Sequence, residues 1–179
     1  MIQYEVNGAQ IALDPTFLHE IKRQQIRGAK GCYGWYILRS QLPSSTDRVA
    51  QSERVYLYVG TVTDAPMTSV TSRFLAELSG AQVTTDKGRS FDTDFVVSSA
   101  LAFFTQRGIN ITFEILSEVN GRQEEIKIAR ERRPILQRVT DKSVQLLPEL
   151  KRKIGHDPAD SFEAITIQLQ RLLDNATAG

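Results

Sequence analysis

The sequence predicts an α+β domain, and three observations carry that prediction. Two short runs rich in aromatic and β-branched residues, 34–40 and 54–62, flank the polar stretch QLPSSTDRVAQSE, the pattern of neighbouring antiparallel strands joined by a long exposed loop. Helical periodicities follow, and then INITFEILSEV at 109–119 alternates as a third strand. Strands first, helices next and a third strand before a charged helix is the segregated order of an α+β fold.

Each element has its own signals. Tyr4 and Val6 alternate with polar neighbours, Asn7-Gly8 marks a tight turn, and Ile11 and Leu13 resume the alternation, so residues 1–13 read as a short hairpin. Asp14-Pro15 supplies a cap and a first-turn proline for a helix to Arg27, closed by Gly28 and Gly31. Asp64 and Pro66 open a helix on which Val70, Phe74 and Leu78 recur every fourth residue until Gly80. FDTDFVVSSALAFFTQRG reads as a buried helix with Asp92 or Asp94 as cap and Gly108 as terminator. Asn120-Gly121 turns the chain into a helix from about residue 123, which Pro134 interrupts. Asp157-Pro158 begins a last helix whose Phe162, Ile165, Leu169 and Leu172 form one apolar stripe, suited to capping the core or meeting a second copy in a homodimer.

Composition narrows the functions. The chain has 179 residues, enough for one sizeable core, and reads as a single domain. Nothing in it reaches the length of apolar sequence that a membrane span needs, and the N-terminus lacks the pattern of a secretion signal, so a cytoplasmic location is expected. One cysteine, Cys32, rules out an internal disulfide and a thiolate zinc site. Net charge is +1, which argues against a purely electrostatic nucleic-acid binder, yet Arg122 to Lys153 holds ten Lys and Arg against five acids. His19 and His156 lack metal-site spacing, and no GxSxG, Walker or dinucleotide motif is present.

What remains is an ordered set: Tyr36 on the first long strand, Tyr58 on the second, Arg73 on the helix after it and Glu131 on the late charged helix. Each alone has an ordinary structural explanation. Gly34-Trp35-Tyr36 and Tyr58-Val59-Gly60, with Arg73 and Glu131 following in order, resemble the paired motifs of the GIY-YIG nuclease superfamily. The resemblance spans about 31–138 and implies a three-stranded antiparallel sheet flanked by helices, with an N-terminal hairpin-helix addition (1–30) and a C-terminal helical addition (139–179). It also implies a Mg²⁺-dependent (or Mn²⁺-dependent) DNA endonuclease, of restriction or defence type. Arg73 would hold phosphoryl charge and Glu131 would bind the metal, while Tyr36 and Tyr58 order the attacking water. The family's histidine four residues after the arginine is here Glu77, which could take a proton from Tyr36 or simply pair with Arg73 one turn away, and its later asparagine is missing. Lys127, Arg130, Arg132 and Arg133 would contact DNA. Gly34 and Gly60 would leave room for a phosphate backbone or, equally, for a bulge or turn. The alternative is a noncatalytic module of the same fold that binds nucleic acid or a partner protein.

Overall fold

The computed structural model describes residues 3–6, 30–42, 53–62, 69–82, 93–151 and 158–177. The fold is α+β, with an antiparallel sheet flanked by helices. β2 (Cys32–Leu38) lies between β3 (Arg54–Thr61) and β4 (Ile111–Ser117), and β1 (Gln3–Val6) adds a fourth strand by pairing with β4, giving the order β1-β4-β2-β3. The turn at Asn7-Gly8, the helix expected to Arg27, most of the β2–β3 loop, Asp64 and Pro66, and both histidines lie outside the described residues.

Helices α1 (Val70–Gln82) and α2 (Thr93–Thr105) cover one sheet face. The four-residue repeat in α1 is core, since Val70, Phe74 and Leu78 are fully buried, but the helix runs through Gly80 to Gln82. A glycine costs an α-helix only about 1 kcal/mol, so packing overrides it. α2 is buried from Val96 to Thr105, as its apolar run requires, and Gly108 ends it in a left-handed turn. There the Gly108 N–H donates to the Thr105 carbonyl and the Ile109 N–H to that of Phe104.

α3 (Arg122–Arg132) covers the opposite face, where Ile126, Ile128 and Ala129 meet Cys32 and Val59. It stops before Pro134, with Arg133 as C-cap in the left-handed region (φ 49°). The chain then runs along the outer edge of β3. The N–H groups of Ile135 and Leu136 donate to the carbonyls of Tyr56 and Leu57, and the Gln137 side-chain amide both accepts from and donates to the Val59 backbone. A hairpin the sequence did not announce follows, β5 (Gln137–Val139) with β6 (Val144–Leu146), then the one-turn α4 (Pro148–Lys151) and α5 (Pro158–Thr177). Ile165, Leu169 and Leu173 of α5 are buried in the main core, so the stripe covers the protein's own interior. No described helix is long and apolar enough to cross a membrane.

Candidate functional site

Side chains alternate between the two faces of a strand, so the faces decide which candidates meet. On β2, Tyr33, Trp35 and Ile37 join the core under α1 and α2, while Cys32 belongs to the cluster under α3 and Tyr36 packs on Tyr56 at 5.4 Å between ring centroids. The register against β3 slips at one point: Trp35 pairs with Tyr58 and Tyr36 with Tyr56, leaving Leu57 as the bulged residue. Leu57 and Tyr58 therefore both enter the α1–α2 face.

The expected convergence of five residues does not occur. Tyr58, Arg73 and Glu77 share the α1–α2 face, whereas Tyr36 stands on the other, three residues beyond the tyrosine that does join them. That tyrosine is Tyr33, from the equally spaced tripeptide Gly31-Cys32-Tyr33. Its hydroxyl donates to Glu77 Oε1 at 2.7 Å and accepts from Arg73 Nε at 3.4 Å, and its ring lies 6.2 Å from that of Tyr58. Trp35 Nε1 donates to the second Glu77 oxygen at 2.6 Å. Arg73 and Glu77 do share a helix face, but at 3.9 Å their ion pair is the longest contact of the group. Tyr33 and Glu77 are fully buried, and Arg73 is 31% exposed. Burial, then the neighbouring Glu77 charge, pushes the Tyr33 phenol well above its ordinary value of 10, so it stays protonated at neutral pH and acts as a donor, not a base. Gly60 makes room for Tyr33 and Tyr58 themselves: a Cβ there would sit 2.8 Å from both rings. At Gly34 it would sit 2.9 Å from the Leu116 side chain.

The α3 face holds a second polar group. Glu114 of β4 is buried; its carboxylate takes Arg54 Nη1 at 3.0 and 2.9 Å and the Tyr56 hydroxyl at 2.9 Å. Burial and this carboxylate raise the Tyr56 phenol, against the opposing pull of Arg54. The Arg54 guanidinium lies 4.7 Å over the Tyr36 ring, and that of Arg132 lies 5.3 Å over Tyr56, cation–π geometries that hold both cations in place. Above this floor opens a pocket of about 520 Å³, lined by Arg39, Glu53, Arg54, Val55, Tyr56, Glu131, Arg132, Arg133 and Ile135. Glu131 is thus exposed at the rim of a basic pocket, on the sheet face opposite Tyr58 and Arg73.

The predicted DNA-contacting residues divide. Arg132 and Arg133 line the pocket, and among the described residues no carboxylate pairs with either. Arg130 is tied to Asp141 at 2.7 Å and Lys127 to Glu124 at 3.7 Å. Sequence reasoning missed Tyr33, Arg39, Arg54, Tyr56 and Glu114. Arg54 and Tyr56 sit two apart on one strand, a spacing that puts them on one face, but nothing local marks Glu114 as their partner.

A divalent cation fits the pocket poorly. Two lining carboxylates, Glu53 and Glu131, face four guanidiniums, Arg39 already pairs with Glu53 at 3.0 Å, and no three metal-ligating side chains converge among the described residues. Cys32 is buried with its thiol donating to the Val119 carbonyl, and burial raises its pKa, so it is no nucleophile.

Glu125, near the start of α3, is buried beside Arg122 at 2.8 Å, and burial raises its carboxyl above the ordinary 4.5 despite that partner. The folded state then holds the proton more tightly than the unfolded one. This contribution to stability is full below pH 4.5 and is lost as pH rises through the higher folded-state pKa. Urea midpoints of Glu125→Gln relative to wild type should therefore improve between acid and neutral pH; a pH-independent difference would contradict the raised carboxyl.

Comparison with protein-family models, curated proteins and solved structures finds no match.

Proposed function

We propose that this α+β domain binds nucleic acid through the arginine-walled pocket at the C-terminal end of α3, without cutting the strand. The supporting observation is the pocket itself, in which Arg132 and Arg133 are exposed and free of carboxylate partners among the described residues, beside Arg39 and Arg54. Guanidinium groups stay charged and present planar donor forks to phosphate. Three of the four are steadied by ring or carboxylate contacts, so less ordering is lost on binding. With only a few phosphates engaged, the salt slope should be shallow, a log–log value of roughly −2 to −3 on duplex DNA.

A second reading, phosphodiester hydrolysis of the GIY-YIG kind in a restriction or defence setting, is favoured by one observation: the Arg73–Tyr33–Glu77 hydrogen-bond chain beside Tyr58. Tyr33 would take the place expected for Tyr36. Against it stand the full burial of Tyr33 and Glu77 and the isolation of Glu131 on the other face.

Fluorescence anisotropy with single-stranded and duplex DNA, beside nicking of supercoiled plasmid with Mg²⁺ present, separates the two. The binding reading expects affinity to fall at least tenfold in Arg132→Ala/Arg133→Ala and no nicking by wild type. Nicking that disappears in Arg73→Ala but survives the double variant would install the catalytic reading instead. Absence of both binding and nicking at low salt would remove both.

A further inference from the structure

We infer that the α3 pocket takes a phosphomonoester, the doubly charged phosphate at the end of a strand, in preference to the singly charged diesters of its interior; this rests on the nucleic-acid reading above. A protein that tracks a backbone spreads its cations along a groove. Here the neighbouring cations on α3 are spent internally, Arg122 on Glu125, Lys127 on Glu124 and Arg130 on Asp141, so the charge left over is concentrated at one concavity. Its volume, about 520 Å³, is that of a small-ligand site and suits one terminal nucleotide.

The electrostatics favour a compact dianion. Glu53 and Glu114 are already neutralised by Arg39 and Arg54, so what a ligand meets is Arg132 and Arg133 against Glu131 and the roughly half negative charge at the C-terminus of α3. The balance is positive, and attraction to it grows with ligand charge, so a ligand carrying about two charges gains roughly twice what a diester does.

Backbone geometry supplies an independent observation. Arg133 occupies the left-handed region at the C-cap, immediately before Pro134, where glycine would fit without penalty. A non-glycine residue held in a disfavoured conformation at the wall of this pocket singles out Arg133 as the position to test.

The test compares one oligonucleotide in 5′-phosphorylated, 3′-phosphorylated and hydroxyl-ended forms at fixed salt, with inorganic phosphate and a nucleoside monophosphate as competitors. One phosphorylated end should bind at least tenfold more tightly than the hydroxyl form, and Arg133→Gly, which removes the guanidinium and relieves the backbone, should erase that preference while the protein stays folded. Equal affinity for all three forms, or a preference that survives in Arg133→Gly, would overturn the inference and leave nucleic-acid binding in place. Capture of the monophosphate without any oligonucleotide binding would uphold the phosphomonoester pocket and overturn the nucleic-acid reading.

Discussion

Glu77→Gln is expected to lower stability by about 2–4 kcal/mol, and Tm by roughly 5–15 °C for a chain of this size. The carboxylate of Glu77 accepts from Tyr33 Oη and Trp35 Nε1 in a site with no exposed surface. An amide offers one acceptor oxygen and one donor nitrogen, so it can accept from only one of the two buried donors, and the other hydrogen, that of Trp35 Nε1 or of the Tyr33 hydroxyl, loses its acceptor. Arg73→Ala supplies a comparison. Its guanidinium reaches solvent and its contact with Glu77 is long, but its removal takes a cation from beside a fully buried carboxylate, so the loss should lie between the roughly 1 kcal/mol of an exposed pair and the roughly 3 kcal/mol or more of a buried one. Urea denaturation of both variants checks the pair. A Glu77→Gln protein as stable as wild type would mean that the carboxylate is not held between those two donors.

Gly31→Ala should cost about 3 kcal/mol or more. Gly31 has φ of +137°, and a Cβ would lie 2.0 Å from the Ser117 carbonyl oxygen, backbone that cannot rotate away. Relief requires opening the β2–β4 ladder where Cys32 faces Ser117, and loosening the bond from the Val62 N–H to the Gly31 carbonyl. Gly108→Ala isolates the conformational part. Gly108 also has positive φ, but nothing lies within 4 Å of its added Cβ, so the cost should be only about 1 kcal/mol. Equal urea midpoints for the two variants would show that the close approach at Gly31 is absent in solution.

The fold was legible because its signals are local. Val70, Phe74 and Leu78 announce the buried side of α1, the alternation in ITFEILS announces β4, and the run from Val96 announces a helix buried all round. The β5–β6 hairpin was not, since strands of three residues carry too little alternation to stand out from a loop. The site was legible only in part, for one geometric reason. Pairing GWY against YVG treats the two strands as regular, but the bulge at Leu57 shifts the phase of β3, so Tyr58 keeps company with Tyr33 and Trp35 instead of Tyr36. Register between strands is a tertiary property, and no residue in RVYLYVGT declares it. The odd spacing between Tyr33 and Tyr36 did carry usable information: two tyrosines three apart on a regular strand lie on opposite faces, so only one could share a side with Tyr58. Glu131 was misplaced for a related reason. α3 buries Glu125, Ile126, Ile128 and Ala129, and which end of that helix overlies which strand is set by packing.

The path taken by residues 135–137 along β3 bears on how the protein behaves at high concentration. RVYLYVGT has the aromatic and β-branched make-up of a segment prone to fibrillation, and it forms the margin of the sheet. A strand arriving from another molecule would find the carbonyls of Tyr56 and Leu57 and both polar groups of Val59 already engaged by Ile135, Leu136 and Gln137. The same short stretch that leads away from the arginine pocket therefore acts as a guard against templated self-assembly along that margin.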